Sequence, residues 1–122
     1  MAEGRAEFEH QLRELGYEPD PGQPGNRTAF PYWVPGGRFE GQDIALGFEV
    51  PPDFPRTPPP GPHVRPQLLP VSTSNPLHPY KVDASNFGPE WEYWSRPYRQ
   101  WKGRESVRTY LVHIENLFRT IP

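Results

Sequence analysis

The feature that most constrains the fold is an alternating apolar strand followed at once by a dense run of prolines. Between Asp43 and Val50 every second side chain is large and apolar, and from Pro51 to Pro60 the sequence reads PPDFPRTPPP. Proline fixes φ and has no backbone N–H to donate, so neither a helix nor an interior strand continues through such a run. The sequence therefore predicts a strand that ends in a rigid turn.

Composition favours one folded domain spanning residues 1–122. Nineteen prolines and eleven glycines make up about a quarter of the 122 residues, a level at which low-complexity disorder has to be considered. Seventeen aromatic residues along the whole chain argue against disorder, because disordered segments are poor in such residues. A chain of this length has room for one hydrophobic core.

Several classes of site and location are disfavoured by the sequence. There is no cysteine, which excludes disulfides and thiolate metal sites, and the four histidines show no ligand spacing. We therefore expect no metal and no cofactor. No run of 18 apolar residues is present and the first residues, MAEGRAEFEHQLREL, do not resemble a signal peptide, so we expect a cytoplasmic protein with no membrane partner.

Charge is distributed unevenly along the chain, although the net charge is only −2. Residues 1–53 hold four Lys/Arg and ten Asp/Glu, whereas residues 54–122 hold nine Lys/Arg and five Asp/Glu. Such asymmetry can steer a protein partner, or it can simply solvate two faces of the domain.

Two helices are predicted, one near each end of the chain. The first runs from Arg5 to Leu15, with Glu9 and Arg13 paired across a turn and Gly16 as its stop. The second begins after Ser106, a candidate cap. Apolar side chains line one face of each helix: Phe8, Leu12 and Leu15 in the first, and Val107, Tyr110, Leu111, Ile114, Leu117 and Phe118 in the second.

Strands are predicted between the helices. Residues 29–34 and 43–50 are apolar runs separated by Pro35, Gly36 and Gly37, a pattern typical of antiparallel strands joined by a turn. A third strand at His63–Arg65 is flanked by prolines, which would confine it to an edge or to a few residues. A long irregular segment follows. This order predicts an α+β fold, an antiparallel meander sheet with an N-terminal and a C-terminal helix.

The strand and proline turn resemble the core of ubiquitin-conjugating (UBC) enzymes, which carry the pattern Y-E-G-G-x-F-x-L-x-I-x-F-P-x-x-Y-P-x-x-P-P. The residues close to that pattern are Phe39, Glu40, Gly41, Ile44, Leu46, Phe48, Pro51, Phe54, Pro55, Pro58 and Pro59. Downstream, His78-Pro79 resembles the family's H-P-N motif, Trp94-Ser95 with Pro97 resembles its W-S-P motif, and SVRTYLVHIENLF resembles the following helix. The resemblance implies a UBC-like fold whose last two helices are absent, since the chain ends at Pro122.

The sequence lacks the cysteine sulfur on which the family's reaction depends. In UBC enzymes a cysteine roughly ten residues after the H-P-N histidine carries the activated C-terminus of a ubiquitin-like protein, and the asparagine stabilises the oxyanion. Here that position falls near residues 86–88 without any sulfur, and Tyr80 replaces the asparagine. The polar residues left nearby could line a shallow, degenerate pocket, for which we expect a structural or turn-capping role: His78, Asp83, Ser85 and Asn86.

These features resemble divergent bacterial members of the superfamily, in which some chains lack the usual thiol. The resemblance implies a non-catalytic binding module of a bacterial ubiquitin-like modification system, similar to the ubiquitin-conjugating enzyme variants. Its partners would be a ubiquitin-like protein or the activating enzyme. The family's docking surfaces, carried over, give these partner-binding residues: Arg5, Glu9 and Arg13 on the first helix, and Phe54, Pro55, Arg56, Arg96 and Pro97 on the proline turn and the W-S-P loop.

Two alternatives stay open at the level of sequence. One is an active conjugating enzyme whose cysteine is substituted in this sequence or replaced by an oxygen nucleophile such as Ser85. The other is a nucleic-acid adaptor, because residues 94–108 interleave Trp94, Tyr98 and Trp101 with five Lys/Arg residues. The slightly acidic chain as a whole makes nucleic acid the less favoured partner.

Overall fold

Two helices and one face of a five-stranded antiparallel sheet enclose a single hydrophobic core. The computed structural model describes residues 3–68, 82–95 and 98–120. The elements, in chain order, are α1 (Gly4–Glu14), β1 (Arg27–Trp33), β2 (Asp43–Glu49), β3 (His63–Arg65), β4 (Val82–Ala84), β5 (Glu92–Trp94) and α2 (Val107–Thr120). In these described ranges neither helix combines the length and the apolar character that crossing a bilayer requires. The predicted α+β class, antiparallel sheet and two terminal helices are confirmed.

The sheet follows the predicted meander only as far as β3. β1 pairs with β2 in a register that sets Phe30 opposite Leu46, and β2 pairs with β3 with Gly47 opposite His63. The strand order is then β3-β5-β4, because β4 and β5 form a hairpin whose second strand lies next to β3. The third strand is three residues long, as predicted, but it lies inside the sheet and not at its edge.

The β4–β5 hairpin corrects the prediction of an unbroken irregular segment before the last helix. Each strand has only three residues, and the two large core residues of the pair are Val82 and Trp94, which lie opposite each other. A three-residue strand is too short to show apolar alternation in the sequence. The position of β5 is set by its pairing with β3, and that of β4 by its pairing with β5.

The first helix is confirmed, with a shorter buried face than predicted. Phe8 and Leu12 are fully buried, whereas Leu15 caps the helix and is 40% exposed. The chain then turns at Gly16, whose φ is +94°, and the Tyr17 N–H donates to the Leu12 carbonyl over 3.0 Å. This is the glycine stop that the sequence predicted.

The second helix buries the whole predicted apolar stripe. Ser106 caps it loosely, since the Thr109 N–H lies 3.4 Å from the Ser106 Oγ. A stronger contact comes from the first helix, because the Val107 N–H donates to the Gln11 side-chain oxygen over 2.7 Å. The first helix therefore satisfies one of the free N–H groups at the start of the second.

The proline segment, residues 51–62, is held by hydrogen-bond donors from other elements. The Tyr110 hydroxyl donates to the Pro60 carbonyl over 2.5 Å, the Trp101 indole N–H to the Pro55 carbonyl over 2.7 Å, and the Trp94 N–H to the Pro62 carbonyl over 2.9 Å. Burial raises the pKa of the Tyr110 phenol, so this hydroxyl remains a donor throughout the usual pH range. These bonds fix the proline turn against α2 and the loop before it.

We expect replacement of Gly37 by alanine to destabilise the fold by ~3 kcal/mol or more, beyond the cost of a positive φ alone. Gly37 has φ +89°, and an added Cβ would lie 2.0 Å from the Phe118 carbonyl oxygen. Gly41 is the matched control, since its φ is +84° with nothing within 4 Å of the added carbon. Urea unfolding should give G41A a loss of roughly 1 kcal/mol. Equal losses for the two variants would contradict the packing described.

Candidate functional site

The face of the sheet opposite the helices is covered by the loop that follows β4. A Cβ added to Gly47 would lie 2.6 Å from the Phe87 ring and 3.1 Å from the Trp91 ring, so these rings rest directly on β2. Arg27 lies over the Phe87 ring at 5.0 Å and Arg65 over the Trp91 ring at 5.1 Å. Glycine at position 47 is what allows the loop to approach this closely.

His63 lies beneath this loop, in contact with Ser85. Its ring is stacked on Phe87 at 4.2 Å and lies 4.7 Å from the Tyr93 ring, which leaves the residue only 5% exposed. His63 Nδ1 is 2.7 Å from the Ser85 Oγ, and the same Oγ accepts the Phe87 N–H over 3.0 Å. The second bond is the turn-capping interaction expected for Ser85.

The imidazole of His63 is neutral near pH 7. The pKa of His63 is lowered to about 4, chiefly by burial; the charge of Glu49 acts to raise this pKa and that of Arg27 to lower it. The ring tautomer sets the direction of the hydrogen bond to Ser85. With Nδ1 unprotonated the Ser85 hydroxyl donates to it, which is the arrangement of a hydroxyl beside a general base.

Asn86 anchors the other side of the same turn. Its Nδ2 donates to the Glu49 Oε1 over 2.7 Å, and Glu49 lies opposite Arg27 in the β1–β2 register. Asp83 lies opposite Tyr93 in the β4–β5 register. The structure thus brings Ser85 and Asn86 to one place, adds His63 to them, and sets Asp83 beside Tyr93 on the neighbouring hairpin. His78 lies outside the described residues.

The predicted docking residues of α1 are largely engaged inside the fold. Arg5 Nη1 donates to the Gln23 carbonyl over 2.6 Å and to the Gly25 carbonyl over 2.9 Å. Glu9 Oε2 accepts from Arg5 Nε over 3.0 Å and from Thr28 Oγ1 over 2.7 Å. These bonds tie α1 to the loop that follows it and to β1. Arg13 pairs with Glu9 only at 3.8 Å and keeps 60% of its side chain exposed, so it is the residue of the three that a partner can reach.

The proline turn lies against the loop that precedes α2. Phe54 is fully buried, the Pro55 carbonyl accepts the Trp101 indole N–H, and Arg56 is exposed. A Cβ added to Gly103 would lie 3.3 Å from the Arg56 carbonyl oxygen. Arg96 and Pro97 lie outside the described residues. Within the described part of this surface, Arg56 presents a charged side chain to solvent.

The aromatic residues of the 94–108 segment do not form a stacking platform. Trp94 is 1% exposed, and Trp101 packs against Phe54 and Tyr110 at ring distances of 6.0 and 6.1 Å. Tyr98 remains half-buried, 5.2 Å from the His113 ring. Base stacking along a single strand needs several open aromatic faces, which this segment does not offer in its described residues.

No group of three or more His, Asp or Glu side chains that could hold a metal ion occurs among the described residues. In comparisons with models of known protein families, with curated proteins and with solved structures, no significant match to this chain is found.

We expect the stability of the protein to fall as the pH drops from about 6.5 towards 4, in part because of His63. The unfolded chain takes up a proton near its ordinary pKa of 6.5, whereas the folded protein resists protonation of His63 down to about 4. The free energy of unfolding therefore loses at most about 1.4 kcal/mol per pH unit from this group, and the contribution is complete above pH 6.5.

Urea unfolding at a series of pH values measures this slope, and the variant His63→Gln should lack it. His10 provides the matched control, since its side chain is 63% exposed beside Glu14. A His10→Gln variant should keep the wild-type slope between pH 6.5 and 4. If the His63→Gln variant keeps it as well, the neutral, buried state assigned to His63 is wrong.

Proposed function

We propose that this chain is a cysteine-free, UBC-like binding module that engages a ubiquitin-like protein or its activating enzyme without carrying out thioester transfer. The observation that carries the proposal is the contact between the proline turn and the loop before α2. In the family that the sequence resembles, the proline turn and the W-S-P loop at the start of this segment together receive ligases, so this is a surface that binds proteins.

The arrangement of elements is compatible with that reading. The chain contains, in the family's order, a first helix, an antiparallel β1–β2–β3 meander with the proline segment between β2 and β3, and a later helix that contacts that segment. The absence of any cysteine removes the nucleophile on which the family's thioester depends. Binding is the part of the family's function that remains possible through this surface.

The proline turn is a better docking surface than α1. Arg5 and Glu9 hold internal bonds, with side-chain exposures of 22% and 13%, so a partner that used them would have to break those bonds. Arg56 is exposed. We therefore place the partner at the proline turn, with Arg13 as the accessible residue on α1.

Titration calorimetry with a ubiquitin-like protein and an activating enzyme of a bacterial ubiquitin-like system tests the proposal. We expect a noncovalent complex with one of them and no covalent adduct on this chain when ATP is added. The Arg56→Glu variant should weaken binding about fivefold or more, as loss of an interface charge pair does. Arg38→Glu, at the turn near the opposite end of α2, should not. Absence of binding to both proteins would refute the proposal.

A second candidate function is favoured by one observation, the 2.7 Å contact between His63 Nδ1 and the Ser85 hydroxyl. In this reading Ser85 acts as an oxygen nucleophile. Its oxygen attacks the thioester carbonyl of an activated C-terminus, its proton passes to His63, and the thiolate of the activating enzyme leaves and takes up that proton. The product is an ester on Ser85 and a free thiol.

An activated ester such as p-nitrophenyl acetate tests this second function without any partner protein. Mass spectrometry of the labelled wild-type protein should find the acetyl group on Ser85 and not on Ser95 or Ser106, which are also half-buried. The His63→Gln variant should lose the label. Equal labelling of all three serines would leave Ser85 with its structural role alone.

A further inference from the structure

The large apolar side chains that are most exposed gather at one place. Among the described residues these are Leu15 at 40%, Trp33 at 55% and Val112 at 53% exposure, and all three line a single groove of about 430 Å³. Its floor is formed partly by Tyr17 and Tyr32, whose rings are stacked 6.3 Å apart. Tyrosine and tryptophan around an apolar depression are typical of the anchor sites of protein interfaces.

This apolar groove is continuous with two polar grooves. It shares Leu15 and Arg108 with a groove of about 450 Å³ along α1, and it shares Val112 and Arg108 with a groove of about 590 Å³ between α2 and the loop before it. Arg108 lines all three. We call the whole surface the tripartite groove.

The two ends of the tripartite groove differ in charge. The α1 end is lined by Glu7 and Glu14 together with Arg108, and the centre by Arg108 and Glu115. The far end is lined by Arg99 and Arg108, with no acidic residue among its described lining. Glu105, the one acidic residue among the described residues of the adjacent loop, does not line the groove, and its carboxylate accepts the N–H groups of residues 102, 103 and 104. The lining of the far end therefore has an excess of positive charge, and the lining of the α1 end an excess of negative charge.

We propose that the tripartite groove binds an extended segment of a partner protein that carries a large apolar anchor between a basic end and an acidic end. The anchor occupies the space between Leu15, Trp33 and Val112. The basic end meets Glu7 and Glu14, and the acidic end meets Arg99. The proposal rests on the proposed function only in that both make this chain a binding module, and it names a surface separate from the proline turn.

Charge complementarity selects this occupant. A segment that is entirely basic or entirely acidic would be attracted by one end of the groove and repelled by the other. A segment with one basic and one acidic end is attracted by both ends of the groove. The apolar centre supplies affinity through buried area, and the ends supply orientation.

Nine-residue synthetic peptides test the proposal without any ubiquitin-like protein, so its outcome is independent of the proposed function. The probe KKGLFLGEE should bind, and its charge controls KKGLFLGKK and EEGLFLGEE should bind about fivefold more weakly, as expected when the exposed ion pairs at one end are replaced by like charges. KKGSGSGEE, which lacks the anchor, should not bind. Calorimetry gives the affinities, and amide chemical shifts report the site.

Variants of the protein sharpen the test. Arg99→Glu should reverse the preference towards KKGLFLGKK, while Arg104→Glu, an exposed change outside the groove, should leave it unchanged. Trp33→Ala should weaken every peptide that has the anchor. The proposal would be overturned by equal binding of all peptides or by equal effects of the two arginine variants. Concentration-dependent dimers that Trp33→Ala dissociates would also overturn it, because they would show that a second copy of this chain occupies the groove.

Discussion

The whole structure depends on how the proline segment finds donors for its carbonyl groups. A proline residue brings an acceptor to the backbone but no N–H, so the prolines of this segment cannot donate to one another's carbonyls. Here the missing donors come from three separate elements: the Tyr110 hydroxyl of α2, the Trp101 indole of the preceding loop, and the Trp94 amide of β5. A hydrogen bond of this kind contributes about 0.5–1.5 kcal/mol, so the three contacts together help to fix the segment against α2, its preceding loop and β5.

The parts of the fold that could be predicted from the sequence are those that local patterns specify. The strand at 43–50, the turn at Pro51 and the stripe from Val107 to Phe118 are local patterns, and each predicts its element without knowledge of the rest. β4 and β5 are different, because three residues carry too little periodicity to be recognised. They exist because β3 offers an edge and because Trp94 reaches both the core and the proline segment.

In the candidate site, too, some residues could be predicted from the sequence and others could not. Ser85 and Asn86 could be placed by counting from His78, but His63 could not, because it lies 22 residues before Ser85 and on another strand. The one signal in the sequence is that His63 is flanked by Val64 in a strand, so the two side chains must lie on opposite faces. Which residue it would meet on the outer face depends on the hairpin that the sequence did not predict. The internal bonds of Arg5 and Glu9 are equally non-local, because their partners belong to the loop after α1 and to β1.

The side chains of β3, which alternate between the two faces of the sheet, also show how the sheet separates the two candidate sites of this domain. Val64 faces the helices and His63 faces the loop that rests on Gly47, so the sheet separates the Ser85 turn from the tripartite groove along α1 and α2. The two places therefore face opposite sides of the domain, and a peptide seated along the helices in the proposed groove would leave the loop over the strands undisturbed.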